Sequence, residues 1–149
     1  MPKILVSSCL LGQPCRYNGT HSLNKTVVEF CSDKNVLLAC PEVLGGLPTP
    51  RLPAEIHRGD GNRVLNGEGV VFNKLGVDVS GFFLLGAIKT YKLTKVNNIR
   101  LALLKSKSPS CGSRTIYSGK FNGELKTGDG VTAALLKENK VKVIAEEDI

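Results

Sequence analysis

Three apolar runs in this chain break off at a cysteine or lead into a loop that carries one. They are Lys3-Ile-Leu-Val-Ser-Ser-Cys9, Asn35-Val-Leu-Leu-Ala-Cys40 and Ile99-Arg-Leu-Ala-Leu-Leu104, the last opening into Lys105-Ser-Lys-Ser-Pro-Ser-Cys-Gly-Ser-Arg114. Short runs rich in Ile, Leu and Val, bounded by Ser, Pro and Gly, predict buried strands. Stretches with helical spacing lie between them, and strands alternating with helices predict a mostly parallel sheet. In such a sheet all carboxyl ends lie along one edge, where ligands sit. Cys9, Cys40 and Cys111 are therefore expected to close strands on one edge, near enough to act together.

The rest of the chain supports this layout. Leu10 to Gly19 reads as a loop, and His21 to Asp33 as a short helix with Cys31 on its apolar side, where a thiol is usually a small buried hydrophobe. Pro41 to Arg51, with three prolines and the adjacent Gly45 and Gly46, reads as an irregular loop of fixed path. Ile56 to Phe72 reads as an antiparallel excursion around Gly59-Asp-Gly61 and Asn66-Gly67. Val77 to Leu93 is the longest helical pattern, with Val79, Phe82, Phe83, Leu85, Gly86 and Ile88 on or near one face. Thr115 to Lys126 reads as a second hairpin, Thr127 to Lys137 as a helix behind a glycine-rich turn, and Val141 to Ala145 as a last strand. The expected fold is a single α/β domain over residues 1–149. It is Rossmann-like, a mostly parallel sheet of about four strands flanked by helices, with one or two small β-hairpin excursions.

Composition narrows the function. Hydrophobic residues make up 42% of the 149, which argues a globular chain. The net charge of +7 suits an anionic partner, but the basic residues are scattered, and with 5% aromatics and no tryptophan base-stacking platforms are scarce. A direct nucleic-acid partner is not favoured. No apolar stretch reaches the ~20 residues of a membrane span. Val6-Ser-Ser-Cys9 resembles a lipoprotein box, but only Ile4 to Val6 precede it as an apolar core, so a first strand is the better reading. Five cysteines without an export signal imply a cytoplasmic chain with reduced thiols.

Clustered soft thiolates suit an iron–sulfur cluster or zinc. The absence of any C-x2-C pair counts against a zinc ribbon, and spacing alone leaves metal binding and isolated thiols both open. Three thiolates on a four-iron cluster would leave one iron open, the position a Lewis-acid catalyst needs. A rival reading takes Cys9 to Arg16 as the phosphate loop of a low-molecular-weight phosphatase or arsenate reductase. Six residues separate Cys9 from Arg16, one more than that loop has, and no Asp-Pro acid loop follows near the C-terminus. A zinc- or thiol-binding module without catalysis is the other alternative. Glu42, two residues past Cys40, is the acid–base candidate. Ser108 and Ser110 flank Pro109 beside Cys111, and their hydroxyls can position a substrate or hold turn backbone. His21 and His57 read as surface or structural residues.

Taken together, Ser8-Cys-Leu-Leu-Gly12 with Cys15-Arg-Tyr-Asn-Gly19, Cys40-Pro-Glu42 with Gly45-Gly-Leu-Pro-Thr-Pro-Arg51, and Ser108-Pro-Ser-Cys-Gly112 resemble the bacterial 2-thiouracil desulfurase family. The resemblance spans essentially the whole chain. It implies a [4Fe-4S] cluster held by Cys9, Cys40 and Cys111, with one open iron for the substrate's sulfur. It implies Glu42 as catalytic carboxylate and Ser108, ahead of Ser110, as assisting hydroxyl. The implied reaction is hydrolytic desulfuration of a small thiolated pyrimidine to the oxo base and sulfide. A nucleoside or tRNA substrate is possible but not favoured, and no membrane partner is expected. Arg16, Arg51 and the Gly45-Gly46 turn are candidates for shaping the substrate pocket, with Cys15 a possible substitute ligand or guard of the cluster.

Overall fold

The computed structural model describes residues 3–149, beginning with the strand β1 (Lys3–Ser7) and a 3-10 turn, Ser8–Leu11. The helix α1 (Lys25–Cys31), the strand β2 (Asn35–Ala39) and the single-turn helix α2 (Pro41–Leu44) follow. An excursion of β3 (Ala54–His57), α3 (Gly61–Leu65) and β4 (Val70–Asn73) precedes the long helix α4 (Ser80–Val96). Next come β5 (Leu101–Leu104), the hairpin strands β6 (Thr115–Tyr117) and β7 (Leu125–Thr127), α5 (Val131–Glu138), β8 (Lys142–Ala145) and a 3-10 turn, Glu146–Asp148.

The expected parallel sheet is present as four strands in the order β2-β1-β5-β8. Alternation along each strand sends side chains to two cores. Leu5, Ala102 and Leu104 pack with Ala133 and Leu136 of α5 on one face. Ile4, Val6 and Leu103 pack with Val27 and Cys31 of α1 on the other, so helices cover both faces and Cys31 is the buried hydrophobe expected. A third core of Ile56, Val64, Val71, Phe83, Ile116 and Val131 lies under the two small antiparallel sheets.

Three local expectations change. Gly59-Asp-Gly61 is not a hairpin turn: the Asp60 carboxylate accepts the Asn62 amide at 3.1 Å and caps α3. A short Asx-capped helix and a tight turn call for the same residues, so the sequence did not separate them. Pro41 begins α2, as a proline at the first helical position can, because its missing N–H has no helical partner there. In α4 the buried stripe is Phe83, Gly86, Ala87, Thr90 and Thr94, while Phe82, Leu85 and Ile88 are exposed.

Gly45, which caps α2, and Gly86 within α4 explain that stripe. A Cβ on Gly45 would lie 2.0 Å from the Phe82 carbonyl oxygen, and one on Gly86 would lie 2.0 Å from that of Pro41. Backbone meets backbone at this crossing, which seats the loop after Cys40. Gly81 on the same helix has nothing within 4 Å. Gly45→Ala and Gly86→Ala should each destabilise the fold by about 1–3 kcal/mol in urea denaturation, because a methyl is forced into rigid backbone. Gly81→Ala should be neutral or stabilising, by up to about 1 kcal/mol.

Candidate active site

Parallel pairing of β1 with β2 and β5 brings three loops to one edge, where they wall a cavity of about 240 Å³. From the first loop come Ser7, Ser8, Cys9, Cys15 and Arg16; from the second, Cys40, Glu42 and Arg51; from the third, Ser108 and Cys111. The expected residues Cys9, Cys40, Cys111, Glu42, Ser108, Arg16 and Arg51 thus face one space.

Two expected pocket residues do not. Gly46 packs on the Phe82 ring, and its φ of 101° ends α2 as glycine permits. Ser110 is 1% exposed, its hydroxyl bonded to that of Thr132 at 2.8 Å behind Cys111. Both serve packing, for which small and turn-forming residues are equally selected.

Each thiol is held by its loop. Cys9 lies in the 3-10 turn after β1, and its carbonyl accepts the Gly12 and Ser22 amides at 3.2 and 2.8 Å. Cys40 is the N-cap of α2. Cys111 does not close β5. It sits further along, in a turn clasped to the start of α5, where the Gly130, Val131 and Thr132 amides donate to the carbonyls of Gly112, Pro109 and Ser110 at 2.8–2.9 Å. Ser7 ties this turn to β1: its hydroxyl accepts the Lys105 amide at 2.9 Å and donates to the Cys111 sulfur at 3.7 Å. Ser108 accepts the Cys111 amide at 2.7 Å, leaving its own O–H to donate.

Glu42 and Arg51 form a largely buried ion pair, Nε to Oε1 at 3.0 Å. The same guanidinium reaches the carbonyl of Cys15 at 3.0 Å, that of Pro48 at 3.2 Å and the Thr49 hydroxyl at 3.1 Å. One side chain therefore locks the first and second loops together and neutralises the carboxylate. Burial pushes the Glu42 carboxyl above the usual range, against the opposing pull of Arg51.

The thiols shift as buried neighbours do. Burial, then the proximity of Cys40, pushes Cys111 up to about 12. Cys40 is driven far higher, first by its hydrogen bond with Cys15 and then by burial. Cys15 is drawn down by that bond, but a bond with Cys9 and burial outweigh it and leave it raised. Thiolate ligation would have to displace the protons that these shifts favour on Cys15, Cys40 and Cys111.

The donor set fits an iron–sulfur group. All five cysteines are free thiols, four of them line the cavity, and neither histidine does. Among the described residues no group of three or more His, Cys, Asp or Glu is placed to hold a metal ion by itself. The thiols of Cys9, Cys15, Cys40 and Cys111 line one cavity, and soft donors of this kind suit an iron–sulfur group. A phosphate loop is not built here. The amides of Gly12, Gln13, Cys15 and Arg16 bond to the carbonyls of Cys9, Ser8, Gln13 and Thr20, so they cannot encircle an anion.

The sequence did not point to Ser7, Tyr17, Glu55, Lys105, Ser106 or Tyr117, which also line the cavity. For Glu55 a faint signal exists, a charge inside the strand Ala54-Glu-Ile56. Lys105 and Ser106 bind Glu146, which accepts the Ser106 amide at 2.7 Å and hydroxyl at 3.0 Å and pairs with Lys105 at 3.0 Å.

An α/β sheet that presents thiols beside a buried carboxylate at its carboxyl edge defines a cofactor-holding enzyme. A family model, 2-thiouracil desulfurase, matches residues 4–148, and the chain belongs to that family. The uncharacterized protein YbbK of Bacillus subtilis (strain 168) is 48% identical over 146 residues, 98% of this chain and 97% of its own. The solved structure of the [4Fe-4S]-dependent thiouracil desulfidase TudS superposes with a TM-score of 0.87 at 41% identity, covering 100% of this chain and 93% of its own. Among the described residues no helix is long and apolar enough to cross a membrane.

Burial opposes the charge of Glu146, but Lys105 and the Ser106 amide outweigh it and hold its carboxyl below the ordinary range. A depressed folded pKa gives stability that is present above the unfolded value and lost as pH falls through the folded one. Glu146→Gln should therefore be less stable by about 1–2 kcal/mol at neutral pH. In urea titrations across pH, the gap should close as acid protonates Glu146 in the parent.

Proposed function

We propose that this chain is a [4Fe-4S]-dependent desulfurase that converts a thiolated pyrimidine of the 2-thiouracil kind to the oxo base and sulfide. The observation that carries this reading is the shared cavity, with the thiols of Cys9, Cys40 and Cys111 beside the Glu42–Arg51 pair. Those three cysteines would hold the cluster, and when bound it would supply a soft iron with affinity for thiocarbonyl sulfur. Water replaces sulfur in the net reaction, so one C=S bond breaks, one C=O bond forms and no electrons are consumed.

The protein's own groups then have definite tasks. Burial raises the proton affinity of Glu42 above that of a solvated carboxylate, with Arg51 opposing the shift, and Glu42 takes the proton of the attacking water. Ser108 uses its acceptor lone pair on the Cys111 amide, so its O–H is left to orient the ring or pass a proton. Arg16, with its guanidinium 5.8 Å from the Tyr17 ring centre, forms an outer wall. The cavity of about 240 Å³ has to take both the cluster and the base, so most of a nucleoside or tRNA would remain outside it.

Glu42→Gln keeps an oxygen for Arg51 but removes the base. Anaerobically prepared Glu42→Gln should retain the visible absorption of an iron–sulfur protein and lose sulfide release from 2-thiouracil by about 100-fold or more. Turnover at the parent's rate would refute the assignment of Glu42.

A further inference from the structure

The cavity has a second carboxylate, Glu55, which the chemistry above does not use. It lies in β3, paired with Phe72 of β4. Alternation turns Ile56 into the third core and Glu55 to the opposite face, where it is 8% exposed and lines the cavity. Its Oε1 accepts two amides of the β6–β7 connection, Gly119 at 2.8 Å and Phe121 at 3.3 Å. Gly119 has a φ of 95°, and a Cβ there would lie 2.6 Å from the Ile56 carbonyl oxygen, so glycine lets this connection approach β3.

The other oxygen, Oε2, takes no hydrogen bond from the described residues, and Glu55 forms no ion pair among them. Yet no buried side-chain polar atom among the described residues is without a partner. Oε2 is therefore reached from outside the protein matrix, at a residue almost wholly buried except along the cavity wall. A fixed carboxylate oxygen that opens into a binding cavity and accepts nothing there is suited to a ligand N–H, and leaving it unpaired under a ligand is unfavourable.

We propose that Glu55 is a specificity-determining residue whose Oε2 accepts a ring N–H of the thiolated pyrimidine. This rests on the desulfurase reading. In 2-thiouracil both ring nitrogens flank the thiocarbonyl carbon and both carry hydrogen. With the sulfur directed to the thiol loops, an N–H is offered to each side of the cavity. Glu55 reads one of them and so favours bases free at that nitrogen over bases substituted there.

Glu55→Gln tests the idea cleanly. Its amide oxygen can keep the Gly119 and Phe121 bonds, so the hairpin stays anchored, while an NH2 donor replaces the acceptor facing the ligand. Steady-state sulfide release is measured for the parent and Glu55→Gln with 2-thiouracil, 1-methyl-2-thiouracil and 3-methyl-2-thiouracil. The expected result is a KM for 2-thiouracil raised about 10-fold or more in Glu55→Gln with kcat nearly unchanged. One methyl isomer should be poor for the parent, and its penalty should shrink in Glu55→Gln, as coupling requires. A purely structural Glu55 would change all three substrates alike or none, and either result overturns the proposal. A parent that accepts both methyl isomers as well as 2-thiouracil overturns it without any variant. A parent that releases no sulfide from any of the three refutes the desulfurase reading and this proposal with it.

Discussion

Parallel pairing of β1 with a neighbour on each side is the constraint on which the rest of the molecule depends. The register Val6 opposite Leu38 and Leu103 makes the three strands end level, so their following loops have nowhere to go but the same edge. Apolar faces enforce that register, since a one-residue slip would turn Leu5 and Ala102 out of one core and Ile4 and Val6 out of the other. Ser7, the last residue of β1, then extends the order of the sheet into the site. Its hydroxyl bonds both the start of the third loop and the Cys111 sulfur. Positions of thiols on three separate loops are thereby fixed relative to one strand.

Electrostatics completes what the backbone arranges. A buried carboxylate next to thiols bound for deprotonation would be unfavourable alone, and the Arg51 guanidinium offsets it while tying down the carbonyl of Cys15. Breaking such a pair from one side leaves an uncompensated charge, which is a larger penalty than the pair's net stabilisation. In the proposed chemistry that same balance sets the basicity of Glu42. Stability of the loops and reactivity of the site are thus two consequences of one contact.

Much of this was legible in the sequence because strand periodicity and the parallel-sheet rule are local arguments. They placed Cys9 and Cys40 at the sheet edge and anticipated helices on both faces. Cys111 was assigned to the right edge for an incomplete reason. What aims it is the clasp between Ser108–Gly112 and the first turn of α5, a contact between loops that no short window of sequence contains. Gly46 and Ser110 sit within suggestive motifs, yet what each packs against is decided by Phe82 of α4 and by Thr132. Asp60 could begin a turn or cap a helix, and only the third core beneath it decides. Glu55 leaves only a faint signal for a similar reason, since its significance lies in two amides of a distant hairpin and one oxygen left over.

The central claim is that Cys9, Cys40 and Cys111 wall a space that holds a four-iron cluster with one iron left unligated by protein. Mössbauer spectroscopy of protein reconstituted anaerobically with isotopically enriched iron tests it most directly. The account predicts a [4Fe-4S] spectrum in which one iron is distinct and changes its parameters when 2-thiouracil is added. It also predicts that serine at any of the three positions prevents that spectrum from forming. A spectrum with four equivalent irons unmoved by the base, or a protein that retains zinc and takes up no iron, would contradict it.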